Sequence, residues 1–289
     1  MKGKVLVKVV TDSTAYIDRR LLKELDITEV SMNVNYADSS LPEIELTNEE
    51  FYQQIDGLEK LPTTSQPSPL TFYYAFLEKI EQGYDVLTIL LSSNLSGSYF
   101  SAVQGKELVL SKYPEAKIEI IDSRTTVMAL GLVVEAVARL ASEGSTLAEL
   151  IAQTEELLVK SKIFFIPRSL EYLKKGGRIG EASALLGSLL QITPLLTVKG
   201  PVTVHEKVRT FEKAVKKMLD IYIEANKTEG IEALAVHHIN CLDEGKKLVR
   251  ELQKTTDLEI QLRPIGPVIG LHVGPGTLGL AYITKGESA

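Results

Sequence analysis

The sequence predicts an α/β fold in two parts: a parallel three-layer α/β/α domain over residues 1–160 and a mixed-sheet α/β domain over 161–289. Two observations carry this. In the first half, short β-branched apolar runs alternate with amphipathic stretches, the pattern of βαβ units and a parallel sheet. From Ser145 the texture changes, and Leu195–Val208 reads as two strands joined at Lys199-Gly200. No Pro/Gly/Ser-rich linker lies near residue 160, so the two parts are expected to share an interface.

The elements follow in order. Val5–Val10 is a buried strand that stops at TDST, Thr11–Thr14. Glu29–Tyr36 alternates at period two and reads as one half-buried strand. Thr47 and Glu50 form a capping box that opens a helix through Ile55. Ser68 followed by Pro69 is an N-cap with proline at the first helical position; that helix runs to about Glu81, and Gly83 closes it. Asp85–Leu91 is a strand ending in SSNLSGSY, with a helix behind it to about Lys112. Lys117–Ile121 is a strand ending in DSR, Asp122–Arg124, before a long helix from about Thr126 to Glu143. Thr146 and Glu149 make a second capping box, and the strand Ile163–Ile166 follows its helix. Next come the basic segment SLEYLKKGGRIG, an apolar helix Ala182–Leu190 and the two strands of Leu195–Val208. A helix, a strand over Ile231–Ile239, a helix and two final strands complete the chain.

Composition narrows the function. The chain has 289 residues, 44% hydrophobic, with net charge −6 and a pI near 5.5. That balance argues against nucleic acid, which is bound by lysine and arginine neutralising phosphates. It also argues against an anionic membrane surface as the main partner, while leaving room for a transient membrane contact. No apolar run approaches the roughly 20 residues of a membrane span. The N-terminus lacks a small-residue cleavage site, so no signal peptide is expected. The single cysteine, Cys241, excludes an internal disulfide and a cysteine-rich metal site. A cytoplasmic protein fits these features.

In open parallel sheets ligands bind beyond the carboxyl ends of the strands. Three such ends carry small polar residues here: TDST, SSNLSGS and DSR. The segment LPTTSQPSPL, Leu61–Leu70, stands immediately before a helix, as does NLSGS. Helix N-termini offer unpaired N–H groups and the positive end of a dipole, and nearby hydroxyls can donate to the same anion. TDST and DSR read as caps and turns. TTSQPSP and LSSNLSGS hold several more hydroxyls than capping requires, which suits a carboxylate or phosphate.

Other patterns exclude chemistry. Gly274, Gly276 and Gly279 stand at G-x-G-x-x-G spacing, but LGLAYIT behind them reads as a strand, so this is no dinucleotide fingerprint. The glycines of GPVIGLHVGPGTLG instead suggest a tight backbone path that delivers His272, unless that histidine is simply a core residue. There is no nucleophile elbow and no Walker loop. His237 and His238 are adjacent in a strand, point to opposite faces and cannot share a metal. His205 is isolated. No metal site and no cofactor are expected.

With these residues laid out, the sequence resembles the DegV family. The matching pieces are VTDSTAYI, PTTSQPSP, LSSNLSGSY, IDSR, SLEYLKKGGRI, EKVRT and GPVIGLHVGPGTLGL, in that order along the whole chain. One departure is Thr193 in ITPLL, where relatives usually carry lysine.

The resemblance implies a two-domain DegV-like fold with a long-chain fatty acid in an apolar tunnel, which the second domain completes. Its carboxylate would be held by Thr64, Ser96 and His272, with Ser93, Thr63 and Gly97 as neighbours. It further implies a lipid-binding protein rather than an enzyme: the binding subunit of a bacterial fatty acid kinase. A separate ATP-dependent kinase subunit would phosphorylate the carboxylate, giving acyl phosphate for phospholipid synthesis. Arg209 of KVRT would serve that partner. The absence of Lys and Arg from both hydroxyl loops suggests an uncharged grip. Phe164, Phe165, Leu185, Leu186, Leu189, Leu190, Ile192 and Leu195 are candidates for the tunnel wall. Lys174, Lys175 and Arg178 either face a phosphate-bearing partner or end a helix. Two other functions compete: a passive fatty acid carrier or sensor, and a serine-dependent acyl hydrolase using Ser93 or Ser96 with His272 as base.

Overall fold

The computed structural model describes residues 5–55, 60–185 and 192–286. Its first half contains β1 (Val7–Asp12), α1 (Arg19–Glu24), β2 (Thr28–Val30), β3 (Asn33–Asn35), β4 (Ser40–Pro42), α2 (Asn48–Ile55) and β5 (Thr63–Ser65). There follow α3 (Pro69–Glu81), β6 (Asp85–Leu90), α4 (Ser98–Lys112), β7 (Ile118–Asp122), α5 (Val127–Ser142) and α6 (Leu147–Lys160). Strands β2-β1-β6-β7 form a wholly parallel sheet in that order. The expected caps are present. Ser68 accepts from the Thr71 N–H ahead of Pro69, and Thr146 and Glu149 close a reciprocal capping box.

The second half contains β8 (Ser161–Ile166), α7 (Glu171–Lys175), β9 (Thr193–Val198), β10 (Val202–Val208), α8 (Phe211–Thr228) and β11 (Ile231–His238). It ends with α9 (Leu242–Leu252), β12 (Ile260–Pro264), α10 (Pro267–Val273) and β13 (Leu278–Thr284). The sheet order is β10-β9-β8-β13-β11-β12. Only β11 and β12 run parallel, so the sheet is mixed.

Layering explains why α5 is so apolar. On one face of the parallel sheet, Phe72 and Phe76 of α3 and Ala102 and Val109 of α4 cover Val10, Val86, Leu90 and Ile118. On the other face lies α5, buried along most of its length. A helix that is hydrophobic all round must be covered all round. Here Val9, Leu87 and Ile89 cover it from one sheet, and Ile163, Phe165, Ala235, Ile239 and Ala281 from the other. The far face of the mixed sheet packs Phe164, Leu195, Val236 and Leu280 against Ala214, Met218 and Tyr222 of α8 and Leu248 of α9. Lys160 ends α6 and Ser161 opens β8, and α5 packs against both the parallel and the mixed sheet.

Several elements differ from expectation. Glu29–Tyr36 is not one strand. It breaks at Ser31-Met32, leaving β2 in the parallel sheet and β3 in a separate antiparallel sheet of order β4-β3-β5. Part of LPTTSQPSPL is therefore strand β5, because Thr63–Ser65 find a partner in Asn33–Asn35. The glycine-rich GPVIGLHVG is not an irregular path but helix α10, with Pro267 in its first turn and Gly274 at φ 90° ending it. Helix α1 was not anticipated; Asp18 caps it by accepting from the Arg20 N–H. Of the expected helix Ala182–Leu190, the first residues form a 3₁₀ stretch, Gly180–Leu185, and the remainder lies outside the described residues.

Candidate functional site

A narrow cavity, about 820 Å³ of empty space when the open solvent at its mouth is included, lies between the N-terminal end of α5, the inner face of the mixed sheet and α10. Its wall is largely apolar: Ile163, Phe165, Val198 and Ile239 from the mixed sheet, Leu91 and Val127 from the parallel half, Val268 and Ile269 from α10. Thr64, Ser65, Gln66, Ser96, Arg178 and His272 also line it. A largely apolar chamber with polar side chains gathered around Thr64 and His272 suits an apolar ligand with a polar end.

Two elements bring the central pair together. In β5 successive side chains alternate, so Thr64 turns inward while Thr63 is exposed. His272 stands in the last turn of α10. Thr64 Oγ1 and His272 Nε2 are 2.7 Å apart, a hydrogen bond whose donor depends on the tautomer. Burial, with the Arg178 guanidinium adding to it, lowers the His272 pKa from 6.5 to about 4. The ring is therefore neutral at physiological pH. Its Nδ1 makes no hydrogen bond, and a Cβ at Gly176 would sit 2.3 Å from that atom. Glycine at 176 thus gives the imidazole its place.

The position of α10 rests on Glu43, which the sequence reading did not single out. Glu43 is 5% exposed. Its Oε1 accepts from the Val268 N–H (2.9 Å) and the Tyr16 hydroxyl (2.8 Å), and its Oε2 from Ser13 Oγ (2.5 Å). Burial raises its pKa, while these hydrogen bonds oppose the shift. Tyr52 donates to the carbonyls of Ile265 and Gly266 from the neighbouring helix α2. Replacing Glu43 by alanine strands three donors. The expected cost is about 3 kcal/mol, a melting temperature lower by roughly 5–10 °C. Calorimetry checks this, and an unchanged melting temperature would remove Glu43 as the anchor.

The remaining expected residues divide. Ser96 lines the cavity, its Oγ 3.1 Å from Ser98 Oγ and accepting from the Ser98 N–H. Gly97 is the N-cap of α4, and a Cβ there would lie 2.6 Å from Gln66 Nε2. It lets the two hydroxyl segments close on each other. Ser93 turns away from the pair: its N–H and Oγ both bind the Asp122 carboxylate, at 3.1 and 2.5 Å. Asp12 likewise ties β1 to β6 by accepting from the Leu91 and Thr14 N–H groups. TDST and DSR are therefore caps and turns. Arg209 is exposed between β10 and the Thr210 N-cap of α8 and does not line the cavity.

Two further expectations are corrected. The polar end is not free of cations: Arg178 lines the cavity and donates to the Leu95 and Gly176 carbonyls. Lys174 and Lys175 are exposed on α7. Nothing in the separate segments shows that SLEYLKKGGRIG folds over LSSNLSG. Of the candidate wall residues, Phe165 lines the cavity. Phe164 and Leu195 face α8 because strand side chains alternate. Leu185 is buried outside the cavity lining and Ile192 is exposed, while Leu186, Leu189 and Leu190 lie outside the described residues.

Among the described residues, no cluster of three or more His, Cys, Asp or Glu side chains could hold a metal, and no helix is long and apolar enough to cross a membrane. His272 offers a direct test of the electrostatics. Proton NMR of the ligand-free protein is expected to place its midpoint near 4. The unfolded ring protonates near 6.5, so this group removes stability as pH falls from 6.5 towards 4 and not above. A midpoint at 6.5 or higher would contradict the buried, Arg178-facing ring.

Fold and cavity together define an α/β protein with a largely apolar chamber that carries polar side chains on its wall. Residues 6–285 match the family model described as "Uncharacterised protein, DegV family". A DegV domain-containing protein of Clostridium acetobutylicum is 43% identical over 280 residues, covering 96% of this chain and 98% of the relative. The chain belongs to the DegV family. A fatty-acid-binding DegV protein from Thermus thermophilus superposes with TM-score 0.87 at 30% identity, covering 97% of this chain and 100% of that one. A stearic-acid-binding protein from Eubacterium ventriosum superposes with TM-score 0.88 at 27% identity, covering 97% and 99%.

Proposed function

We propose that this chain binds a long-chain fatty acid in the cavity, with the carboxylate at Thr64, Ser96 and His272 and the tail between the sheets. The observation that carries the reading is the Thr64–His272 pair set on a largely apolar chamber. Each buried CH₂ contributes roughly 0.8 kcal/mol, so the tail supplies affinity. A carboxylate taken from water needs hydrogen-bond donors. The two hydroxyls and the neutral imidazole provide them, Arg178 adds charge, and Ser96 stands just before the N-terminus of α4. Relatives of known structure bind fatty acids, which supports the same ligand here.

In the fuller reading, the chain itself catalyses nothing. It acts in the cytoplasm and presents the carboxylate to a separate ATP-dependent fatty acid kinase subunit, whose acyl phosphate product feeds phospholipid synthesis. Arg209 is exposed and does not line the cavity, which supports a role towards such a partner rather than towards the lipid. A serine hydrolase is disfavoured by the geometry: Ser93 is hydrogen-bonded to Asp122, and His272 to Thr64 rather than to a serine.

Native mass spectrometry of the purified protein, followed by extraction, tests the ligand. One fatty acid per chain, released on denaturation, is expected. A protein that is empty and takes up no added fatty acid would overturn the reading. Fatty acid bound, but no acyl phosphate formed with the kinase subunit and ATP, would leave a passive carrier.

A further inference from the structure

Two polar groups on the cavity wall take no part in the Thr64–His272 pair. His237 is 3% exposed and lines the cavity from β11. Its neighbours in register, Ala235 and Ile239, belong to the core between the sheets, so its ring faces inward. Gly279 stands opposite it on β13, where a Cβ would lie 2.0 Å from Nε2; the missing side chain is what gives the ring room. His237 Nδ1 makes no hydrogen bond.

Thr126, 5% exposed, lines the same cavity. It is the N-cap residue of the 16-residue helix α5, yet its hydroxyl does not cap the helix and has no hydrogen-bond partner among the described residues. The positive end of the α5 dipole therefore meets the cavity wall without a side-chain cap.

Buried polar atoms are rarely left unpaired, because each loses its hydrogen bonds to water and gains none. A saturated acyl chain cannot repair that, having no polar atom along its length. We propose that the cavity selects a fatty acid carrying a hydroxyl on its acyl chain, received by Thr126 Oγ1 or by the His237 ring. The proposal rests on the fatty-acid reading and narrows its substrate class. A hydroxyl is matched to either group: it can donate to an unprotonated ring nitrogen, and it can donate to or accept from the threonine. Burial, with His238 beside it, lowers the His237 pKa to about 3, so the ring is neutral. A second carboxylate would find no cation in this pair and would be costly to bury there. The chamber thus has two polar poles, one for the acid group and one for a substituent along the tail.

The test is calorimetric titration of the delipidated full-length chain with stearic acid and with monohydroxystearic acids whose hydroxyl is stepped along the tail. One position is expected to bind roughly tenfold tighter than stearic acid, the gain of a well-made buried hydrogen bond. Thr126→Val or His237→Leu is expected to erase the difference between that acid and stearic acid, both acids being measured on the same variant. The wild-type series decides the question alone if either variant fails to fold. If stearic acid binds and no hydroxylated chain binds more tightly, this inference falls and the fatty-acid reading stands. A gain that survives both substitutions overturns the assignment to Thr126 and His237. If no acid of either kind binds, both readings fall.

Discussion

Replacing His272 by alanine is expected to weaken stearic acid binding roughly 10- to 100-fold without unfolding the protein. A hydrogen bond to a charged group contributes about 1.5–3 kcal/mol, and each 1.4 kcal/mol is tenfold in affinity. The imidazole Nε2 is already aimed at Thr64 Oγ1 at 2.7 Å, and the ring is held by Gly176 on one side and the Glu43-anchored helix α10 on the other. Thr64→Val should cost a similar amount. The double variant should lose less than the sum, since both side chains act on one carboxylate. Chain burial is untouched in all three, so weak binding should persist. Unchanged affinity in the alanine variant would remove His272 from the site.

Under the proposed partnership with a fatty acid kinase, replacing Arg209 by alanine is expected to leave fatty acid affinity within twofold and to cut acyl phosphate formation by that kinase at least about 30-fold. The split follows from position. Arg209 is exposed beyond the end of β10 and absent from the cavity wall. No hydrogen bond or ion pair ties its guanidinium to the described residues, which leaves it available to a partner. An arginine anchor at a protein interface commonly contributes 2 kcal/mol or more. Kinase turnover measured against fatty acid concentration separates the two effects. A weakened lipid affinity with normal turnover at saturation would place Arg209 in the lipid site.

How much of this was legible in the sequence depends on the distance over which each feature is specified. Ser68-Pro69 and the Thr146–Glu149 box are local devices, and both helices begin where these residues say. The βαβ pattern of the first half likewise yields the parallel sheet. Breaks at one or two residues were harder. Nothing local to Ser31-Met32 shows that β3 leaves one sheet to pair with Thr63–Ser65 of another. Helix α10 was hidden because five glycines mask a short helical run, although Pro267 was a usable start signal. The proposed carboxylate residues Thr64, Ser96 and His272 were reached through motifs of the family. The neighbours Ser93 and Thr63 were not separable from them, since a hydroxyl loop does not reveal which hydroxyl is consumed by Asp122 or turned outward. Glu43 and Arg178 were missed as parts of the site for the same reason. Each acts across a long stretch of chain, on Val268 and beside His272, and only the folded packing brings them there.

The most direct test of the central claim is a crystal structure of the chain with stearic acid bound. The expected result is a carboxylate oxygen within about 3 Å of Thr64 Oγ1 and His272 Nε2, with the tail running between α5 and the inner face of the mixed sheet past Phe165. A head group at any other place, or a tail lying outside this cavity, would contradict it.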